Sequence, residues 1–311
     1  MSLRVLHPGW ASRVVDAGRP ATRALGVPVG GAADRFSLAL GNALVGNAPD
    51  AAALEIALTG PRLRAEADLA CVVFGAPFEL GPRADLQVGK TFTLAAGEEL
   101  HVGGTATGLR AYLCVRGGLQ TPVVLGSRSG LERLRADDLL PCSPGSIHGR
   151  FLRDAEAPCG EEHTLRVLPG PQASWFVEAE FYGPEFTVAP ASNRMGLRLQ
   201  GRPLTVPARE LVSEPVAPGA VQVTRDGQCI ILGVDGQTIG GYPKVAHVIR
   251  ADLDRLGQLR PGNRVRFAAV GLQEAIALDR AAQARLRAWV GRLRLSLDGF
   301  GAGRTLRDIP P

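Results

Sequence analysis

Residues 53–119 alternate short apolar runs with turn residues, in the segments ALEIALTGPRL (53–63), DLACVVFGAPFEL (68–80), KTFTLAAGEELHVG (90–103) and LRAYLCVRGGL (109–119). Each run is short and is bounded by glycine, proline or acidic residues, which is typical of strands joined by tight turns. We expect at least five strands here. The 39 glycines and 23 prolines among 311 residues also make turns frequent, so long helices cannot dominate the fold.

Two other segments have helical patterns. Between Asp34 and Gly46 apolar residues recur at helical spacing, with Asp34 placed to cap the helix and Gly46 to end it. The longest helical pattern runs from Gln273 to Arg294. Its apolar face holds Ile276, Leu286, Val290 and Leu293 with Trp289 at the edge, and its other face holds Arg280, Arg285, Arg287 and Arg292. We interpret it as a packing helix with a solvated arginine face, the alternative being a partner surface.

The chain divides into two β-rich halves. Residues 136–172 are irregular and are rich in proline, glycine and serine up to residue 160, which predicts a linker. Strand patterns resume in MGLRLQG (195–201), GAVQV (219–223), CIILGV (229–234), VAHVI (245–249) and NRVRFAAV (263–270). We therefore expect a mainly β protein with short helices, with an N-terminal half at residues 1–155 and a C-terminal half at residues 156–311 that carries the terminal helix.

Composition disfavours several classes of partner. The net charge of +5 is spread along the chain and aromatic residues are only 5%, so a nucleic-acid surface is not expected. The five cysteines lie far apart with no C-x-x-C pair, and the five histidines never fall at ligand spacing, so neither a disulfide framework nor a metal site is predicted. Apolar runs are too short for a signal sequence or a membrane span of about 20 residues. We expect a cytoplasmic protein with no membrane or nucleic-acid partner.

Residues 231–244, ILGVDGQTIGGYPK, are the strongest candidate for a site. A buried strand leads into a polar turn, Gly240 and Gly241 expose the backbone, and a rigid Tyr-Pro pair presents Lys244. The chain has only two lysines, Lys90 and Lys244, so an ammonium at this position is a departure from its use of arginine. A desolvated lysine can act as a point charge or a proton donor, which a guanidinium cannot do. The alternative is a β-hairpin with a surface lysine.

Three further positions could carry chemistry. Asp34 ends the glycine-rich segment GVPVGGAAD (26–34), which is either an anion-binding loop or a plain loop before a helix. Arg194 in SNRMG (192–196) could grip a carboxylate or phosphate, or be solvated. Glu55 lies among apolar residues and needs a partner, so it is either a structural ion pair or a functional acid.

Ten segments, in order, resemble the biotin-dependent carboxyltransferase-like family. They are HPGW (7–10) with VVDAGR (14–19), GVPVGGAAD (26–34), NALVGN (42–47), ALEIALTGP (53–61), LRAYLCVRGGL (109–119), VLGSRS (124–129), LRVLPGPQ (165–172), SNRMGLRL (192–199), PGAVQV (218–223) and ILGVDGQTIGGYPK (231–244). The family includes the carboxyltransferase region of urea carboxylase, proteins called allophanate hydrolase subunit 2, the C-type component of bacterial 5-oxoprolinase and the antagonist of a sporulation-kinase inhibitor. The resemblance implies two tandem cyclophilin-like β-barrel halves.

The resemblance also implies a function. A chain of this length is most similar to the C-type component of 5-oxoprolinase, a hydrolase component that works with B-type and A-type partner proteins in a heterocomplex and opens 5-oxoproline to glutamate at the expense of ATP. ATP is then the cofactor of the complex, and a partner protein is one place where it could bind. Two alternatives stay open: a regulatory protein that sequesters a kinase-inhibitor-like partner, or a carboxyltransferase that acts on a urea-like substrate with biotin carried by another chain.

Carried over position by position, the family's polar residues fall on both halves. The resemblance implies a catalytic Lys244, which would stabilise charge on the amide oxygen, and an Asp235 that orients it. It implies substrate contacts from the following residues: Asp34, Glu55, Arg194, Gln222, Gln237, Thr238, Gly240, Gly241 and Tyr242. The chain departs from the family pattern at Val15, Gly30, Ala33 and Gly236 and in a shortened loop after Ser129, which predicts an altered substrate or weaker catalysis.

Overall fold

The computed structural model describes residues 1–130, 132–152 and 162–299, and its first half consists of two five-stranded antiparallel sheets. One sheet has the strand order β10-β1-β4-β8-β6 and the other β2-β3-β9-β5-β7. The strands are β1 Ser2–His7, β2 Ala11–Val15, β3 Ala53–Ala57, β4 Arg62–Ala65, β5 Leu69–Gly75, β6 Phe78–Gly81, β7 Phe92–Leu94, β8 Glu99–Thr105, β9 Arg110–Val115 and β10 Leu139–Pro141.

The second half is built on a closed seven-stranded barrel of order β11-β18-β15-β16-β13-β12-β19. Strands β14 and β17 form a separate two-stranded sheet. The strands are β11 Glu162–Pro169, β12 Phe186–Val188, β13 Gly196–Gln200, β14 Glu214–Pro215, β15 Ala220–Val223, β16 Cys229–Leu232, β17 Ile239–Gly240, β18 Lys244–Val248 and β19 Arg264–Ala269. The pair β11 and β19 is parallel, and the other barrel pairs are antiparallel.

Four α-helices accompany the strands in the described part of the chain: α1 Arg35–Leu44, α2 Glu178–Tyr182, α3 Leu253–Leu256 and α4 Leu272–Gly299. Short 3-10 helices span Pro20–Leu25, Ala173–Trp175 and Arg250–Asp252. The predicted cap of α1 is confirmed, because the Asp34 side chain accepts a hydrogen bond from the Ser37 N–H at 2.9 Å. Helix α1 ends at Leu44, and the turn that follows includes Gly46, whose φ of 85° suits glycine.

The sheet β2-β3-β9-β5-β7 is buried on both faces, which explains why its strands have apolar runs rather than strict alternation. In β5, Val73 faces the core shared with the other sheet, whereas Val72 and Phe74 face α1. Side chains of a strand point alternately to its two faces, so each face of this sheet is supplied by every second residue. The first half is therefore layered as sheet, sheet and helix.

The terminal helix crosses back onto the first half. Val290 and Leu293 of α4 are buried with Leu40 and Leu44 of α1 in one apolar cluster. The buried Arg150 guanidinium donates to the carbonyl of Leu44 at 2.6 Å and to that of Leu293 at 2.7 Å, and so joins the two helices. The arginines of the opposite face of α4 are exposed, as a packing helix requires.

These observations confirm the mainly β class and the presence of a closed barrel in the second half. Within the described residues, the first half encloses its core between two sheets and has no closed barrel. The expected boundary at residues 155 and 156 lies outside the described residues. In the part of the chain that the structure describes, no helix has both the length and the apolar composition needed to cross a membrane.

Candidate functional site

Buried charged side chains form one ionic cluster where the two halves meet. Arg194, in the turn before β13, donates to Asp235 from Nε at 2.7 Å and from Nη2 at 2.9 Å, and to Glu55 from Nη1 at 2.5 Å. Arg13 of β2 bonds Asp235 at 3.1 Å, and Arg110 of β9 bonds Glu55 at 3.3 Å. These five residues are the interface ionic cluster. Since three of them belong to the first half and two to the second, the cluster ties the halves together.

Glu55 is an ionised carboxylate at the centre of this cluster. Glu55 is 2% exposed, and its Oε2 accepts hydrogen bonds from the Ala33 N–H at 3.0 Å and the Tyr112 hydroxyl at 2.9 Å. Burial alone would raise the pKa of Glu55, but the positive charges of Arg194 and Arg110 outweigh burial and hold the pKa at about 2. Of the two alternatives for Glu55, the geometry favours the structural ion pair.

Asp34 is a helix cap and an interface residue rather than an exposed substrate contact. It is fully buried, and both of its carboxylate oxygens accept hydrogen bonds from Ser37. The side-chain amide of Gln258, from the second half, donates to Asp34 Oδ2 at 2.7 Å and to the Arg110 carbonyl at 3.0 Å. The side-chain oxygen of Gln258, Oε1, accepts hydrogen bonds from the backbone N–H groups of Leu109 and Arg110, both at 3.0 Å. Every polar atom of this buried amide is thus satisfied by the first half.

A second carboxyl group from the other half meets the start of α1. Asp254 accepts a hydrogen bond from the Arg35 N–H at 2.9 Å. Burial, followed by the neighbouring charge of Asp34, raises the pKa of Asp254 to about 7. A carboxyl group with a raised folded pKa binds a proton more tightly in the folded state than in the unfolded state. Its contribution to stability is therefore greatest at acid pH and is lost as the pH rises from about 4 to about 7.

We expect Asp254→Asn to reduce the decline of folding stability between pH 5 and pH 8, because the amide keeps an acceptor for the Arg35 N–H but carries no charge to desolvate. Glu55 affects folding stability in a lower pH range. Because its pKa is depressed, its contribution to stability is lost only as the pH falls from about 4.5 towards 2. Urea unfolding at both pH values measures the effect, with the exposed Asp50→Asn as the control. The same decline in Asp254→Asn as in the parent chain contradicts the prediction.

Lys244 lies in a second group of polar side chains, which are hydrogen-bonded to one another within the second half. The Lys244 side chain is 6% exposed, and its Nζ donates to Glu214 Oε1. Gln172 completes the arrangement: its Nε2 donates to the same Glu214 oxygen at 2.8 Å, and its Oε1 accepts the Lys244 N–H at 2.9 Å. Gln222 of β15 is paired with Lys244 across neighbouring strands, and Gln237 donates to Gln222 Oε1 at 3.2 Å. These five residues are the lysine cluster.

Gln222 is the least satisfied member of the lysine cluster. The residue is 1% exposed, and its Nε2 has no hydrogen-bond partner among the residues that the structure describes. A Cβ atom on Gly240 would lie 2.6 Å from that Nε2, so the amide packs directly against the glycine backbone. A buried amide that lacks an acceptor costs free energy, which makes this a place where an acceptor from a ligand would be favoured.

The predicted site residues therefore separate into two groups. Asp34, Glu55, Arg194 and Asp235 lie at the interface, whereas the residues that surround Lys244 form the other group: Gln222, Gln237, Gly240, Gly241 and Tyr242. The prediction that Asp235 orients Lys244 is wrong, because Asp235 is bonded to Arg194 and Arg13 and the carboxylate on Lys244 is that of Glu214. Thr238 is buried and its carbonyl accepts the Val216 N–H at 2.9 Å, while Tyr242 is 39% exposed.

Two functional candidates, Gln172 and Glu214, were not predicted from the sequence. Gln172 ends the segment LRVLPGPQ, so its place in a family motif was an available signal. Glu214 lies in a polar, irregular stretch with no periodic pattern, and only the pairing of β14 with β17 brings it to Lys244.

A cavity of about 440 Å³ lies between the two halves and α4. Its walls include Phe36 and Arg110 of the first half, Arg194 and Asp254 of the second, and Leu286 of α4. Lys244 does not line this cavity, and its side-chain partners Glu214 and Gln172 belong to the second half. The Lys244 side chain is nearly buried all the same, which argues against the alternative of a surface lysine.

The family model for the carboxyltransferase domain, subdomains A and B, matches residues 25–269. The chain belongs to this carboxyltransferase-domain family. Among the family's curated members, the C-type component of 5-oxoprolinase from Escherichia coli (strain K12) is 35% identical over 298 residues, which cover 88% of this chain and 93% of that protein. The protein of the same name from Haemophilus influenzae is 36% identical over 289 residues, with 86% and 91% covered.

A solved structure agrees with this assignment. Urea carboxylase of Kluyveromyces lactis superposes with a TM-score of 0.83 at 27% identity, covering 93% of this chain and 29% of that protein. This carboxyltransferase-domain chain thus matches a part of the larger enzyme but nearly the whole of the two 5-oxoprolinase components.

Proposed function

We propose that this chain is the C-type component of an ATP-dependent 5-oxoprolinase complex that opens 5-oxoproline to glutamate together with A-type and B-type partner proteins. The observation that carries the proposal is the 35% identity to a C-type 5-oxoprolinase component along 93% of that protein. The alignment leaves little of either sequence unmatched, so the similarity extends over nearly the whole of that protein.

The lysine cluster supplies a group suited to this chemistry. Opening an amide places negative charge on the carbonyl oxygen, and a donor already in place for that oxygen lowers the barrier. Lys244 offers a nearly buried ammonium, and Gln222 offers an N–H without an acceptor among the described residues. We assign the oxyanion role to Lys244 and a substrate contact to Gln222.

ATP belongs to the complex, and we propose a partner protein as one place where it binds. The sequence contains no G-x-x-x-x-G-K-[ST] segment, because neither of its two lysines follows such a glycine pattern. In the complex, ATP supplies the free energy for opening a stable lactam. The residues of this chain bind and orient the lactam.

A carboxyltransferase that uses biotin on another chain is the second candidate, favoured by the family match and by the likeness to urea carboxylase. A third interpretation, a regulatory protein that sequesters a kinase-inhibitor-like partner, has no geometric observation in its favour among the described residues. The two enzyme hypotheses differ in one requirement, since only the carboxyltransferase needs a biotin carrier.

The test is reconstitution of the purified chain with the A-type and B-type proteins of the same genome. We expect phosphate and glutamate to be released only when 5-oxoproline, ATP and all three proteins are present. The matched control omits this chain alone. Activity that needs an added biotin carrier would transfer the assignment to the carboxyltransferase, and no activity under either condition would overturn both enzyme assignments.

A further inference from the structure

Glu214 occupies the lysine cluster from outside the barrel. Strand β14, which carries it, pairs with β17 so that Glu214 lies opposite Gly240. The Glu214 side chain is 36% exposed, whereas its partner Lys244 is 6% exposed. The carboxylate thus reaches from a surface segment to a buried ammonium.

The segment before Glu214 is a surface strap, defined here as residues 205–213. Ala208, Arg209, Glu210 and Ser213 are exposed in it, and Val212 is 87% exposed. The strap is held at its ends, by the hydrogen bonds of Thr205 to Glu180 and by the buried Val216, two residues after Glu214. Val206 packs against the apolar core of the barrel, but residues 208–213 contribute little to a core, which is typical of segments that open at low free-energy cost.

The residues that contact Glu214 in the lysine cluster have the chemistry of a carboxylate-binding site. Lys244 Nζ and Gln172 Nε2 both donate to one oxygen of Glu214. The unpartnered Nε2 of Gln222 lies against Gly240, the residue that Glu214 faces across the two-stranded sheet. An ammonium and two side-chain amides converge here, and the ammonium is too deeply buried to be left without an anion.

We infer that Glu214 is an internal occupant of a carboxylate-binding position, and that a ligand carboxylate replaces it on Lys244 and Gln172 when the strap lifts. The exchange keeps the ammonium compensated, because one carboxylate substitutes for another. The Lys244 ammonium has three N–H donors, so one can hold the ligand carboxylate while another remains for the lactam oxygen. The inference rests on the proposed function only in naming 5-oxoproline, which carries a carboxylate, as the natural ligand. Glu214 then sets specificity, because a neutral lactam cannot take its place.

The test compares ligands that differ in the carboxylate alone. Calorimetry measures the binding of 5-oxoproline, acetate and 2-pyrrolidinone to the isolated full chain, to Glu214→Gln and to Glu210→Gln, a control on the exposed part of the strap. Removing the competing charge enlarges the receptive population, so we expect Glu214→Gln to bind a small carboxylate about tenfold more tightly. Binding of 2-pyrrolidinone, and all binding by Glu210→Gln, should not change.

A second readout reports the strap itself. The Arg209 guanidinium of the strap lies 5.4 Å from the ring centre of Trp175. Trp175 is the last residue of the 3-10 helix Ala173–Trp175, which begins directly after Gln172. If the strap lifts on binding, the emission of Trp175 should change with the same dissociation constant as the heat signal, and Trp175→Phe should lose this change.

The inference is overturned if neither acetate nor 5-oxoproline binds more tightly to Glu214→Gln, if no binding by that variant is detected, or if 2-pyrrolidinone gains equally. These measurements need neither ATP nor partner proteins. Tighter acetate binding without any turnover of 5-oxoproline in the reconstituted complex would keep the carboxylate position and reject the proposed function.

Discussion

Arg194→Met should lower the free energy of unfolding by about 3–5 kcal/mol, the usual effect of removing one partner from a buried ion pair. The Arg194 side chain is 9% exposed and compensates two carboxylates, Glu55 and Asp235, which are 3% and 11% exposed. Methionine fills much of the same volume, so the loss reports the missing charge and hydrogen bonds rather than a cavity. Urea unfolding at pH 7 measures the change.

Two controls make this prediction specific. Arg64→Met removes the exposed partner of Glu99 and should change the free energy of unfolding by at most about 1 kcal/mol. Adding Asp235→Asn to Arg194→Met should not restore the loss, because Asp235 is also the carboxylate partner of Arg13. An effect of Arg194→Met no larger than that of Arg64→Met would show that the interface ionic cluster does not hold the halves together.

Lys244→Met should lower ATP-dependent 5-oxoproline turnover by the reconstituted complex about hundredfold, the usual effect of losing one preorganised oxyanion donor. Its fold should survive, since the partner left behind, Glu214, is one-third exposed and can be hydrated. The readouts are glutamate release and, separately, assembly of the three proteins by size-exclusion chromatography.

The chain offers a matched control, because Lys90 is its only other lysine. Lys90 lies in the first half, where its Nζ donates to the Asp85 carbonyl at 3.2 Å, and Lys90→Met should leave turnover unchanged. Full turnover by an assembled Lys244→Met complex would remove Lys244 from the mechanism.

The features that sequence predicted well are those decided within a few residues. Asp34 caps α1 because a carboxylate three residues before Ser37 can reach its N–H, and this geometry needs no tertiary information. The apolar face of α4 follows in the same way from helical spacing, and Val290 and Leu293 are buried as predicted.

The pairing of charges across the fold could not be predicted in this way. The resemblance implied that Asp235 orients Lys244, nine positions further along the chain, yet the Asp235 carboxylate bonds Arg13 near the start of the sequence. Asp235 lies in the turn after β16, which faces the first half. Lys244 is the first residue of β18 and lies beside Gln172. The direction in which a side chain points out of a turn depends on how the two halves pack together. The spacing of residues along the sequence does not determine that direction.

The return of α4 to the first half sets an order of assembly during synthesis. Leu40 and Leu44 of α1 are covered by Val290 and Leu293, which are translated only after the barrel of the second half. Until then the nascent N-terminal half keeps an apolar helix surface open to water and to chaperones. A protein split between its halves would therefore need α4 on the first fragment, not on the second, to obtain a soluble N-terminal piece.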